Sequence, residues 1–144
     1  MCSTRSAEPS IRFDTHSVWL SIVDEAGQTL HTAAARGAES EAAALQPDVP
    51  LAAPLPPAQV VRTGEPHFMT TRADVRDRFA ELLEAMPDIG SVAMLPLTAG
   101  DDRLGVLAVS FADERAFSTA DREYLAALGG ISALTLARDR RSQA

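Results

Sequence analysis

Cysteine is all but absent from this chain: among 144 residues only Cys2 is one. No disulfide can form within the chain, and no structural zinc site can be assembled from thiolates. A single thiol is compatible with the reducing cytoplasm, which is the expected location. Long apolar runs are lacking too. No stretch approaches the ~20 residues that a bilayer-spanning helix requires. Residues 1–13 hold Arg5, Glu8 and Pro9 and lack an apolar centre, so they do not read as a secretory leader. Positive charge is in deficit, with 13 Lys plus Arg against 20 Asp plus Glu and a net charge of −7. A chain with that balance repels phosphate backbones and anionic headgroups, so neither nucleic acid nor membrane is an expected partner.

With 46% hydrophobic and 23% charged residues, the chain has the makeup of one soluble domain burying roughly two-thirds of its unfolded surface. Residues 1–15 are polar and read as a mobile lead-in. SVWLSIV (17–23) is β-branched and aromatic, Asp24-Glu25-Ala26-Gly27 turns the chain, and QTLHTAAAR (28–36) returns as a second strand. Residues 37–45 read as a short helix or a loop. Pro47, Pro50, Pro54, Pro56 and Pro57 exclude a regular helix interior or central strand over 46–57. A short helix can begin at Pro57 and stop at Gly64, with Pro66 beyond as a second stop. His67-Phe68-Met69 reads as a short edge strand.

The clearest helix spans 72–86, where Val75, Phe79, Leu82, Leu83 and Met86 form one apolar face. Thr71 and Asp74 have capping-box spacing, and Pro87 ends the helix. Residues 92–97 and 104–111 form a second hairpin about Ala99-Gly100-Asp101-Asp102. The final helix starts with Ser118 and Asp121 in the same cap spacing. It ends at Arg138-Asp139-Arg140-Arg141, basic residues suited to the negative end of a helix dipole. Gly129-Gly130 inside it predicts either a close backbone approach or a local break. This order of elements predicts an α+β domain with an antiparallel sheet.

SVWLSIVDEAGQTL, PPAQVVRTGEP (56–66), SVAMLPL, LGVLAVSF and AFSTADREYLAAL (116–128) together resemble a GAF domain over residues 16–138. The style of sequence is most similar to GAF domains attached to bacterial serine/threonine phosphatases or histidine kinases, so such an output domain is an expected partner. The resemblance implies a profilin-like central antiparallel sheet with helices on both faces, flanked by the 1–15 segment and a 139–144 tail. It departs from the family at three points. The long helix that usually precedes the first strand is short or missing. The Asn-Lys-X-Phe-Asp signature of cyclic-nucleotide-binding members is absent. No cysteine falls on a strand or pocket helix, as covalent bilin attachment would need, and Cys2 alone cannot run the thiol–disulfide cycle of GAF-type free methionine sulfoxide reductases.

Strand alternation separates two surfaces. Val18, Leu20 and Ile22 share one face of the first strand; Trp19, Ser21 and Val23 share the other. In the last strand Leu107, Val109 and Phe111 oppose Val106, Ala108 and Ser110. The bulkier faces suit a sealed contact with the terminal helix. The smaller residues and hydroxyls of the reverse leave volume, and in the resemblance that side holds the ligand under the proline-rich loop and helix 72–86. Trp19, Ser21, Leu55, Phe68, Phe79, Met94, Ala108 and Ser110 are the candidate pocket lining.

No catalytic set is legible. His16, His31 and His67 are scattered, and no Gly-X-Ser-X-Gly elbow exists. Asp24, Glu25, Asp101 and Asp102 fall in turns, while Asp77, Glu81, Arg76 and Arg78 read as the wet face of a helix. The expectation is a non-enzymatic sensory domain without cofactor or metal. It would bind a small molecule and signal through its terminal helix, with homodimerisation covering any exposed apolar surface. The alternative is a ligand-free dimerisation or interaction module.

Overall fold

A computed structural model describes residues 15–37, 42–43 and 46–143. The expected lead-in (Thr15 excepted), the question of a preceding helix, and most of 37–45 lie outside these residues. Among them six strands form: β1 Thr15–Val23, β2 Thr29–Gly37, β3 Val49–Pro50, β4 His67–Met69, β5 Ser91–Ala99 and β6 Asp102–Phe111. They build one sheet in the order β3-β2-β1-β6-β5-β4, every neighbouring pair antiparallel. Helices α1 Pro56–Thr63, α2 Arg72–Arg78 and α3 Ala80–Ala85 lie in the connection between β3 and β5, and α4 Thr119–Gln143 follows β6. The edges are strands of two and three residues, too short to template further pairing.

Local chemistry sets the turns and caps. Asp24 Oδ1 accepts from the backbone N–H of Gln28 at 2.9 Å and of Thr29 at 3.3 Å, closing the β1–β2 hairpin. Those bonds, the Gln28 one first, hold the Asp24 carboxyl below the usual carboxylate range. Gly64 ends α1 at φ 72°, and its N–H returns to the Val60 carbonyl. Thr71 Oγ1 caps α2 by accepting from the Asp74 N–H at 3.0 Å. At the head of α4 the bonds are reciprocal: Ser118 N–H to Asp121 Oδ2 at 3.1 Å, and Asp121 N–H to Ser118 Oγ at 3.0 Å. Arg72 Nη1 donates to the Pro87 and Ile89 carbonyls, both at 2.7 Å, tying the start of α2 to the chain entering β5.

At the sheet centre β6 meets β1, with Gly105 opposite Ile22. A Cβ at Gly105 would lie 2.1 Å from the Ser21 carbonyl oxygen, so only glycine permits that approach.

Two apolar cores result, one on each side of the sheet. On the α4 side Ala93, Leu95, Leu97, Leu107, Val109 and Phe111 pack with Leu125 and Ala133 of the helix. On the other, Trp19, Val23, Leu30, Met94, Val106 and Ala108 meet Val60, Val75, Phe79, Leu82 and Met86 from the short helices. The face assignment made from alternation in β1 and β6 holds.

Two expectations change and one open choice closes. The helix over 72–86 is broken at Phe79, whose φ −152° and ψ 65° stop α2 and start α3. Val75, Phe79, Leu82 and Met86 are nonetheless all buried, so the periodicity reported the buried face and not the continuity of the backbone. The terminal helix continues past 138 to Gln143. Finally, α4 runs unbroken through Gly129-Gly130: a Cβ at Gly129 would sit 3.5 Å from Leu95 Cβ and 3.6 Å from the Pro96 carbonyl oxygen, whereas Gly130 faces open space. Close approach therefore accounts for the first glycine only. No helix among the described residues is long and apolar enough to cross a membrane.

Candidate functional site

The side of the sheet away from α4 is incompletely filled. A cavity of about 100 Å³ lies beneath the chain segment that carries β3 into α1. Its floor is Trp19 and Ser21 of β1, Leu30 and Thr32 of β2, Met94 of β5, and Val106 and Ala108 of β6. Residues 46–50 with Leu55 and Pro57 form the roof, and Phe79, Glu81 and Leu82 close one wall. That volume exceeds what one water needs and approaches the ~150 Å³ of an apolar cavity able to hold benzene. A volume of this size is on the scale of a compact small molecule.

Backbone irregularity builds the floor. The β1–β2 register shifts between Leu20 and Ser21, so that Leu20 opposes Ala34 while Ser21 opposes Thr32, and Ala33 is the extra residue. The shift changes which β2 side chains face the cavity core: Leu30 before it and Ala35 after it. Two arginines hold the roof. Arg62 Nη1, on α1, donates to the Leu51 carbonyl and to the Ala53 carbonyl at 2.9 Å. Arg103 Nη1, on β6, donates to the Val61 carbonyl at 2.6 Å and the Arg62 carbonyl at 3.1 Å, fixing the end of α1 to the sheet.

Of the eight residues expected to line a pocket, Trp19, Ser21, Leu55, Phe79, Met94 and Ala108 surround this cavity. Phe68 does not. In β4 it pairs with Ala93 and so shares the α4 face, where its ring meets Phe117 in a tilted contact, centroids 5.1 Å apart, and lies under the Arg122 guanidinium at 4.2 Å. Ser110 does not either: its hydroxyl bonds the Ser17 hydroxyl and is buried away from the cavity. Sequence reasoning missed Leu30 and Thr32, for which alternation along β2 was the available signal, interrupted by the bulge. Glu81, read as helix surface, is exposed, and it also borders the cavity.

Polar groups in the cavity wall are short of partners. Trp19 is 6% exposed, and its indole N–H makes no hydrogen bond to a described residue; the same is true of the Ser21 and Thr32 hydroxyls. Ser21 and Thr32 are half-buried, so their hydroxyls and the Trp19 N–H are open to a molecule that enters the cavity. The described residues contain no group of three His, Cys, Asp or Glu able to hold a metal ion. His67 lies in β4, at the edge of the sheet. Burial and then the Arg78 guanidinium, 2.6 Å from Nδ1, keep its ring below the ordinary histidine pKa.

An antiparallel sheet carrying a long helix on one side and a roofed cavity on the other defines a small α+β domain. The family model for the GAF domain matches residues 5–137. The chain belongs to the GAF domain family, as its sequence resemblance implied. No curated protein sequence matches it. Among solved structures it is similar to the GAF domain region of a putative membrane protein from Geobacter sulfurreducens (TM-score 0.72, 18% identity, covering 87% of this chain and 83% of that one). It is also similar to the GAF domain of an Acinetobacter phosphoenolpyruvate-protein phosphotransferase (TM-score 0.69, 19% identity, 88% and 73% covered). A third is a free methionine-R-sulfoxide reductase from Neisseria meningitidis, solved with its substrate (TM-score 0.70, 19% identity, 89% and 71% covered). At these identities the likeness is one of fold. The last comparison corrects an expectation: a non-enzymatic role does not follow from this architecture, because free methionine-R-sulfoxide reductases share it.

Proposed function

We propose that this GAF domain is a sensory, regulatory module of a signalling protein, taking a small molecule into the cavity between the sheet and α1–α3. One observation carries the reading: an under-filled apolar space whose wall holds Trp19, Ser21 and Thr32 polar groups without partners among the described residues. A ligand there would contact β1, β5 and β6, whose reverse faces pack on α4. If it prefers one packing of α4 over another, occupancy shifts the helix population and so the output. Native mass spectrometry of freshly purified protein tests this directly. A co-purified compound, and a melting temperature that rises when it is added back, is the expected result. An empty protein that no compound in a broad small-molecule screen stabilises removes the reading.

A second reading has its own support. Ile131 and Leu134 on α4 are 64% and 66% exposed, the large apolar side chains that the sheet does not cover. A homodimer through this stripe would bury them. Light scattering of the wild type should then give a dimer, and Ile131→Glu with Leu134→Glu a monomer. A monomeric wild type at high concentration ends this second reading.

A further inference from the structure

The cavity wall has a sign. Asp48 on the roof and Glu81 on α3 are its charged side chains, both carboxylates and both exposed at the opening. Neither makes an ion pair or hydrogen bond with a described residue. The nearest arginine in sequence to the roof, Arg62, has its guanidinium on the Leu51 and Ala53 carbonyls. Among the lining residues there is no Arg, Lys or His to compensate them. An anion entering here would meet carboxylates and no counter-charge. Deeper in, Trp19 and Phe79, each 6% exposed, provide aromatic walls beside Leu55 and Met94. Aromatic surface with acidic groups at its rim is the environment that stabilises a weakly hydrated organic cation.

We infer that the ligand class of this cavity is a small alkylammonium cation, lodged against Trp19 and Phe79 and selected at the opening by Asp48 and Glu81. This rests on the small-molecule reading above and adds the charge of the ligand. The ~100 Å³ volume limits the cation to a compact head such as a trimethylammonium group. Any hydroxyl or carbonyl that it carries could accept from the Trp19 indole N–H. Because the two carboxylates are exposed, their share of the attraction is screened and should weaken as salt is raised.

The test compares compounds of one shape and different charge. Choline, neohexyl alcohol (choline with carbon replacing the charged nitrogen) and pivalate are titrated into the full chain. Binding is read by calorimetry and by the emission of Trp19, the single tryptophan. Choline should bind roughly tenfold or more tighter than the alcohol, pivalate weakest, and the choline preference should shrink with added salt. The double variant Asp48→Asn, Glu81→Gln should narrow the gap between choline and the alcohol, leaving the part that the Trp19 and Phe79 faces supply. Equal binding of choline and the alcohol overturns the charge selection while leaving a small-molecule pocket in place. Tightest binding by pivalate, or a choline preference untouched in the double variant, overturns it as well. If none of the three binds, the cation assignment falls, and the native mass spectrum separately decides whether the cavity is a receptor at all.

Discussion

The two faces of the sheet are packed by different strategies. On the α4 side the sheet itself is bulky, and one continuous helix lays small and branched residues onto Leu95, Leu107 and Phe111. On the other side the sheet mixes small residues, Ala108, Val106 and Ser21, with the larger Trp19, Leu30 and Met94, and three short helices supply the rest. A single helix can follow one row of large side chains closely. Three segments joined by a break at Phe79 and a proline-rich strap cannot close every gap, and the cavity is what remains. Tightness on one face and slack on the other is the physical basis for a site that can accept an occupant without unfolding the domain.

The largest test of that contrast is a matched pair of truncations. Phe111→Ala, in the fully buried α4-side core, should cost about 3–5 kcal/mol in denaturant-unfolding experiments. Phe79→Ala should cost less, because its ring already borders empty space. Equal losses would mean that the two faces are packed alike. Adding volume should give the inverse result. Ala93→Val, at a fully buried position of the α4-side core, is expected to lose about 1–3 kcal/mol, and Ala108→Val, beside the cavity, less than ~1 kcal/mol. The second substitution should also weaken any cavity ligand. Ser118→Ala and Thr71→Ala should each cost about 1 kcal/mol, because the caps of α4 and α2 act on helix ends and are indifferent to which face is tight.

The smallest effect is in pH. The folded His67 ring has a pKa below its unfolded value of 6.5, so the unfolded chain takes up the proton first as pH falls. The stability it contributes is complete above about pH 6.5 and is lost as pH drops towards the folded pKa. Partial exposure keeps the amplitude small. Chemical denaturation from pH 5 to 8, wild type against His67→Asn, should show that slope disappear in the variant.

Much of this contrast was legible in the residues. Alternation in SVWLSIV and LGVLAVSF put Trp19, Ser21 and Ala108 on one face and Phe111 on the other, since a regular strand has period two and both strands are regular there. Prolines marked the strap, and Gly64 marked where α1 stops. What escaped was whatever depends on register across strands. Phe68 went to the α4 face because β4 pairs Phe68 with Ala93 rather than with its neighbour, and a three-residue edge strand offers no pattern to fix that choice. Thr32 was hidden by the Ala33 bulge, and the break between α2 and α3 at Phe79 left the apolar periodicity intact. Each is a one-residue event in the backbone, invisible to a signal averaged over turns of helix or pairs of strand positions.

Because β1 and β6 are partners at the middle of the sheet, the first and last strands of the domain must find each other before either interior can form. Ser17 and Ser110, 93 positions apart, already share a buried hydrogen bond. A nascent chain emerging from the ribosome therefore cannot settle until nearly all of it has been made, and closure of so long a loop should make folding slow and cooperative. A fragment ending before Asp102 would have no native state to fall back on, and a circular permutant opened at the Gly100-Asp101 turn would still bring the same two strands together.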